Sequence, residues 1–433
     1  MKRPETAILH YTAPPVVGGV EAVIEAHVRE FIQAGYPVTV VAGRGDETAL
    51  PPSAGFVLIP EMDSQHPQVV EVSSKLEQGE VPPSFDDVVN RLAEALTPVL
   101  GQFDNIIIHN LFTKHFNLPL TVALYRLLDA GAIRPFDKFI LSNVEGLRAQ
   151  RCIAWCHDFT WTSPHSRSKV HPGYPWDLLR TYRPDVTYVA VSRRRQRALA
   201  ELVGCPPEQI HVVYNGVDPN GLLGLSAEGQ ALVARLSLLE SDLVLLMPVR
   251  VTQAKNIEYA LRVVAALKAR GCRPKLIVTG PPDPHDAQSM AYFRSLQELR
   301  EQLGIVEEMR FVFESDQESG RHYTVDARVV GDLFRVSDVM FMPSHREGFG
   351  MPVLEAGLVG IPVVCTDAPA AKEIGGEDVT LFDATEDPAH VAERILAWAE
   401  ESPVHRLRHR VRQNYTWQAI FQRDIEPLLK RDA

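Results

Sequence analysis

Residues 339–356 read Val339-Met340-Phe341-Met342-Pro343-Ser344-His345-Arg346-Glu347-Gly348-Phe349-Gly350-Met351-Pro352-Val353-Leu354-Glu355-Ala356. Four apolar residues, a turn flanked by glycines and an apolar stretch beginning near a proline predict a strand, a turn and a helix. Proline suits the first helical position, where no N–H is required. The amides of Phe349, Gly350 and Met351 then open a helix N-terminus, which stabilises negative charge and polar ligand oxygens. Glu347 lies in the turn and Glu355 about one helical turn inside, so both can reach one elongated ligand. A carboxylate accepting two hydrogen bonds reads the vicinal hydroxyls of a sugar, ribose included. The competing reading is an ordinary helix start, with one incidental acid and one core-facing salt bridge.

The same strand–turn–helix rhythm runs outward in both directions. Towards the N-terminus, strands are expected at Ala7–Tyr11, Val38–Ala42, Phe56–Ile59, Ile106–His109, Cys152–Cys156 and Val186–Val191. Helical patterns lie at Val20–Ala34, Phe85–Leu100 and Leu120–Ala130. Turn chemistry at Tyr214–Asn220 marks a hinge. Beyond it, strands are expected at Leu243–Pro248, Leu276–Thr279, Arg310–Phe313, Val339–Met342 and Val363–Cys365, with helices at Ile257–Arg270, Ala287–Leu303, Pro352–Gly360 and Pro388–Glu400. Strands alternating with helices predict an α/β fold with parallel sheets. The reading divides the chain into domains 1–215 and 216–405 and a strandless helical tail, 406–433. In such folds ligands sit beyond the carboxyl ends of the strands.

Composition narrows the class. The chain has 433 residues, 45% hydrophobic and 23% charged, with a formal net charge of -11. That balance describes packed cores and argues against a nucleic-acid coat. The longest apolar runs, such as Leu243–Val249, fall far short of the ~20 residues that cross a bilayer. No apolar stretch long enough for a signal peptide follows Met1-Lys2-Arg3-Pro4-Glu5, so a soluble cytoplasmic protein is expected. Five cysteines make no disulfide framework. Cys152, Cys156 and His157 miss the haem-attachment spacing by one residue and read as a buried strand, so no metal site is assigned.

Other candidates also follow strands. Arg250 and Lys255 come just after Leu243–Pro248; a fork and a point charge together suit a diphosphate that gains charge as it departs. Gly18-Gly19 would let backbone approach phosphate, although most glycine pairs are simply turns. His157 directly follows its strand, with Asp158 beside it either orienting it or capping a turn. His109-Asn110 is a further acceptor-side candidate. Trp161 and Trp176 can either stack on a sugar or pack a loop. Arg193–Arg197, the one dense basic run, reads as a solvated helix face, with contact to an acceptor phosphate or anionic lipid as the alternative.

Taken in order, Gly18-Gly19, Asn215-Gly216-Val217-Asp218, Arg250-x4-Lys255 and Glu347-x7-Glu355 with its internal Gly-Phe-Gly resemble glycosyltransferase family 4 over nearly the whole chain. The resemblance implies the GT-B fold: two Rossmann-like domains facing across a cleft, with a C-terminal helix crossing back to the N-terminal domain. It implies a retaining, nucleotide-sugar-dependent enzyme. Arg250 and Lys255 would bind the donor diphosphate and Glu355 the ribose. Glu347, with Gly348 and the amides of Phe349, Gly350 and Met351, would hold the transferred sugar. Gly18 and Gly19 would line the phosphate and acceptor side, and His157 would contact the sugar's primary hydroxyl. Expected catalytic residues are therefore Glu347, His157, Arg250 and Lys255; His109, Asn110, Asp158 and Trp161 are acceptor-side expectations. No Asp-x-Asp pair follows a strand, so transfer without metal or cofactor is expected. The donor would be a UDP- or GDP-hexose, glucose or mannose, and the acceptor a soluble hydroxyl compound. A sugar phosphorylase, a nucleotide-sugar epimerase and a non-catalytic sensor are the alternatives on the same scaffold.

Overall fold

A computed structural model of the chain describes residues 3–133, 150–282, 287–315 and 325–430. The chain divides into two units: one runs to Gly216 and resumes at Trp417, and the other is Val217–Thr416.

The first unit is built on seven parallel strands in the order β3-β2-β1-β4-β5-β6-β7. These are β1 Thr6–His10, β2 Val38–Ala42, β3 Gly55–Leu58, β4 Asn105–His109, β5 Arg151–Cys156, β6 Thr187–Ala190 and β7 Ile210–Val212. Its helices are α1 Gly19–Gln33, α2 Pro67–Leu76, α3 Phe85–Leu100, α4 Leu118–Asp129 and α5 Arg193–Val203. Alternation along each strand sorts side chains to opposite faces. Ile106 and Ile108 pack with Leu92, Leu96 and Leu124 of α3 and α4. Ile107, between them, packs on the other face with Phe31 of α1 and with Phe421 and Ile425 from the end of the chain. The register that matters for the site pairs His109 with Trp155, so β4 and β5 end side by side.

The second unit has six parallel strands in the order β10-β9-β8-β11-β12-β13. They are β8 Leu243–Met247, β9 Pro274–Val278, β10 Met309–Phe311, β11 Val339–Met342, β12 Val363–Thr366 and β13 Thr380–Phe382. Helices α6 Pro219–Leu222, α7 Ala227–Arg235, α8 Ile257–Ala269, α9 Ala287–Gln302, α10 Ala327–Val336, α11 Met351–Val359, α12 Pro369–Gly375, α13 Pro388–Glu401 and α14 Pro403–Asn414 accompany them. Leu243, Leu245 and Met247 pack with α8 and α13, whereas Val244 and Leu246 pack with α7, α10 and α11.

The expected tail at 406–433 is two pieces. Helix α14 stays in the second unit, where Arg412 donates to Asp338 at 2.8 Å. After Tyr415 and Thr416 the chain is helical again through α15 Trp417–Ile420, a π-helical turn Phe421–Ile425 and α16 Glu426–Leu429, now in the first unit. There Phe421 meets Phe31 with ring centres 5.3 Å apart, and Tyr36 donates to Glu426 at 2.8 Å. The change of partner, at Thr416, thus falls later than the expected boundary. The edge strands β7 and β13 also escaped the sequence reading. Each has three residues and one fully buried side chain, too little for a periodic signal.

Candidate functional site

In the second unit, three loops leaving the carboxyl ends of β8, β9 and β11 are tied together by backbone hydrogen bonds. Gly280 N donates to Val249 O at 3.0 Å and Val251 N to Pro281 O at 3.3 Å. His345 N donates to Ala254 O at 2.9 Å. Gly280 is required by this closeness: a Cβ there would lie 2.6 Å from Val249 O and 2.7 Å from Arg250 Cα. The β8 loop then closes in a short turn, Gln253–Lys255, which brings Lys255 Nζ to 2.6 Å from Glu347 Oε1. The Glu347 side chain is 7% exposed and that of Lys255 22%. Gly350 adopts φ +90° in front of α11, a left-handed conformation that suits glycine. The turn thus delivers the chain from Glu347 to a helix N-terminus within four residues. Arg250 and Glu355 are exposed and make no ion pair among the described residues.

In the first unit a cavity of about 700 Å3 lies beyond the ends of β1, β4 and β5, lined by His10, Gly19, Glu21, Asn110, His157 and Arg195 among others. Asn110 organises it. In a left-handed conformation (φ +61°), its N–H donates to Trp155 O at 2.9 Å, and its Oδ1 accepts from His157 N at 2.8 Å. His157 is therefore fixed through its backbone. Its ring is fixed too: Nε2 lies 2.9 Å from Nδ1 of His109, the rings stacked with centres 5.2 Å apart. Nε2 of His109 is buried without a partner. An orphaned buried N–H is the rarer defect, so the His109 proton belongs on Nδ1. His109 then donates to His157 Nε2, and His157 keeps a proton on Nδ1. Burial pushes His157 down to about 4 and His27, behind His109, to about 3. Both rings are neutral at physiological pH.

Glu21 stands at the first turn of α1. Thr12 donates to it, and His10 Nε2 is 3.8 Å away. Its carboxylate lies over Gly18, where a Cβ would fall 2.1 Å from Oε2. Asp158 holds two cations, Lys114 at 3.0 Å and Arg195 at 3.1 Å. Ser192 caps α5 by accepting from Arg195 N, which brings Arg195 of the basic run to the cavity.

Residues 17–220 match the family described as Glycosyltransferase Family 4, and residues 231–416 match Glycosyl transferases group 1. The chain belongs to the glycosyltransferases of the family 4 type. Similar proteins include mannosylglucosylglycerate synthase of Petrotoga mobilis, 22% identical over 79% of this chain and 74% of that one. D-inositol 3-phosphate glycosyltransferase of Thermomonospora curvata is 30% identical over 51% of this chain and 50% of its own. The first such relatives are matched over between half and three quarters of their length. Among solved structures, Anabaena HepE in complex with UDP and glucose aligns over 98% of this chain and 99% of that chain, at 18% identity and a TM-score of 0.35.

The two units of this glycosyltransferase are its two Rossmann-like domains, the α/β GT-B architecture. Arg250, Lys255, Glu347, Gly348, Phe349, Gly350, Met351 and Glu355 all sit on or beside the tied loops of the second unit. Gly19, Asn110 and His157 line the cavity of the first, where Gly18 shapes the rim. Other expected residues of the glycosyltransferase take different places. His109 has no exposed surface and reaches the cavity only through its contact with His157. Trp161 is buried, donates to Trp176 O at 3.1 Å and carries the guanidinium groups of Arg167 and Arg180 against its ring. Trp176 is buried as well. Both tryptophans pack the loop. Phe313 is buried against Phe293, and Glu314 pairs with Arg300 at 2.7 Å. Gly280-Pro281 belongs to the tied loops of the second unit. His10 and Glu21 escaped the sequence reading; both lie where a strand end meets the following helix start, as Asn110 and His157 lie at theirs.

Proposed function

We propose that the protein is a retaining, metal-independent hexosyltransferase that moves glucose or mannose from a UDP- or GDP-sugar to a hydroxyl of a small acceptor. The observation that carries this reading is the 2.6 Å pair between Lys255 and Glu347 on loops tied beside Arg250. It sets a diphosphate-binding cation next to a carboxylate able to hold sugar hydroxyls. Arg250 and Lys255 neutralise the diphosphate as it departs, Glu355 takes the ribose, and Glu347 with the amides at the start of α11 orients the hexose. His157, donating from Nδ1, holds a sugar hydroxyl. As the C1–O bond to the phosphate breaks, the acceptor oxygen bonds to C1 and its proton passes to the leaving phosphate oxygen. No side chain attacks C1.

The acceptor occupies the cavity around Glu21, Asn110 and Arg195. Two relatives carry an anionic compound in their names, D-inositol 3-phosphate and a glycerate glycoside, which supports an acceptor with a phosphate or carboxylate against Arg195. The test is thermal stabilisation by UDP, GDP and ADP with and without magnesium, followed by transfer assays with the matching sugars. Saturation at 100 times the dissociation constant adds about 2.7 kcal/mol. One nucleotide stabilising without metal is expected; no stabilisation by any would overturn the donor assignment.

A further inference from the structure

The most basic helix of the molecule has no part in the reaction proposed above. Helix α14 carries Arg406, Arg408, Arg410 and Arg412 with His405 and His409, and no acidic residue. Two of the arginines are structural: Arg412 pairs with buried Asp338, and Arg408 donates to the carbonyls of Ser337 and Arg335. The others face elsewhere. With Arg270 and Cys272 they wall a cavity of about 650 Å3 that also touches Leu243. Leu243 is the first residue of β8, whereas Arg250 follows its last, so this cavity lies at the opposite end of the sheet from the donor loops.

Its lining is prepared for an anion. The Arg410 guanidinium makes no hydrogen bond or ion pair among the described residues. Arg406 is held in place by the carbonyls of Glu400 and Glu401, at 2.5 and 2.9 Å. Arg270 is shared with Glu393 at 2.5 Å. His405, only 8% exposed, uses Nδ1 on Ala399 O at 3.1 Å, and its Nε2 is buried with no partner. His409 Nδ1 is likewise buried and unpartnered, its ring stacked on that of His405. Two acids also touch the cavity. Asp242 is taken by Arg273 at 2.7 Å, and Glu400 is exposed.

We propose that this cavity is a second ligand site, for a small phosphate monoester of sugar-phosphate size. Guanidinium forks match phosphate oxygens in geometry and charge. The volume lies within the range of small-molecule sites and exceeds what a bare phosphate fills, so the ligand brings an organic part. The site is independent of the donor assignment and is tested separately from it.

The test titrates the full chain with inorganic phosphate, glucose 6-phosphate and glucose, reading the shift in melting temperature and the heat of binding. Glucose 6-phosphate is expected to stabilise, inorganic phosphate to do so more weakly, and glucose not at all. Arg410→Ala is expected to weaken glucose 6-phosphate binding at least tenfold, and His405→Gln severalfold. Arg250→Ala, which alters the donor loops, should leave that binding unchanged. Stabilisation by neither phosphate, equal stabilisation by glucose, or glucose 6-phosphate binding retained in full by Arg410→Ala would each overturn the site, retention marking a phosphate held elsewhere, as at Arg195. Because Arg410 is exposed, an unchanged melting temperature without ligand separates lost binding from lost folding.

Discussion

Lys255 Nζ lies 2.6 Å from Glu347 Oε1, so the cation proposed for the diphosphate is held by the carboxylate proposed for the sugar. The two roles then separate by substitution. Lys255→Ala is expected to weaken nucleotide binding and leave Glu347 as an uncompensated charge. Glu347→Gln keeps a group that still accepts from Lys255, so nucleotide affinity should change little while turnover falls on the order of 10²-fold, the scale of one lost transition-state contact. Calorimetric nucleotide titration beside initial-rate measurements checks both. Near-full turnover in Glu347→Gln would remove its assigned role.

Gly280 offers a sharper test, because it touches no ligand in the proposed reaction. A methyl group there meets Val249 O and Arg250 Cα. Gly280→Ala should displace the Arg250 loop and raise the Kd for nucleotide severalfold or more, at a stability loss of about 1–3 kcal/mol typical of overpacking. Urea unfolding separates the two effects.

The buried pair of Asp338 and Arg412 anchors α14 to the second sheet, with Val244 N also donating to Asp338 at 2.9 Å. Removing Arg412 leaves buried Asp338 with Arg408 Nε, 3.7 Å away, as its remaining cation. Arg412→Leu should therefore destabilise the second unit by about 3 kcal/mol, the lower end for breaking a buried pair. Denaturant unfolding of the variant reads this directly.

Acid stability of the first unit should follow its histidines. His27 and His157 bind protons more weakly in the folded state, about 3 and 4, than the unfolded value of 6.5. Between those values the unfolded chain holds more protons, so stability rises with pH. Stability is fully present above about pH 6.5 and falls as pH drops towards 4, by about 1.4 kcal/mol per pH unit for each histidine. His27→Leu should reduce that slope by about one proton's worth. An unchanged slope would mean that another group sets it.

The strand–helix rhythm was legible because parallel strands buried on both faces read as continuous apolar runs. Phe85–Leu100 and Val339–Met342 were located to the residue. The grouping of Arg250, Lys255, Glu347 and Glu355 on neighbouring loops was legible because they lie at strand ends in fixed local spacing. The cavity of the first unit was harder to see. His10, Glu21, Asn110, His157 and Arg195 come from five separate segments, and only β-sheet order brings them together. His109 shows the difference: its place after a strand made it a candidate, but only the fold reveals that it is fully buried, with its Nδ1 against His157. Trp161 stayed open between stacking and packing for the same reason, since a loop tryptophan reads alike whether its ring is exposed or covered, as it is here.

The chain leaves the first unit once, at Gly216, and returns once, at Trp417. Val217 N donates to Tyr415 O at 2.8 Å, so the two crossings run side by side. The second unit is therefore a cassette spliced into its host, with its own ends already paired. Removing residues 217–416 would leave Gly216 and Trp417 as ends already in contact, close enough for a short linker to join them.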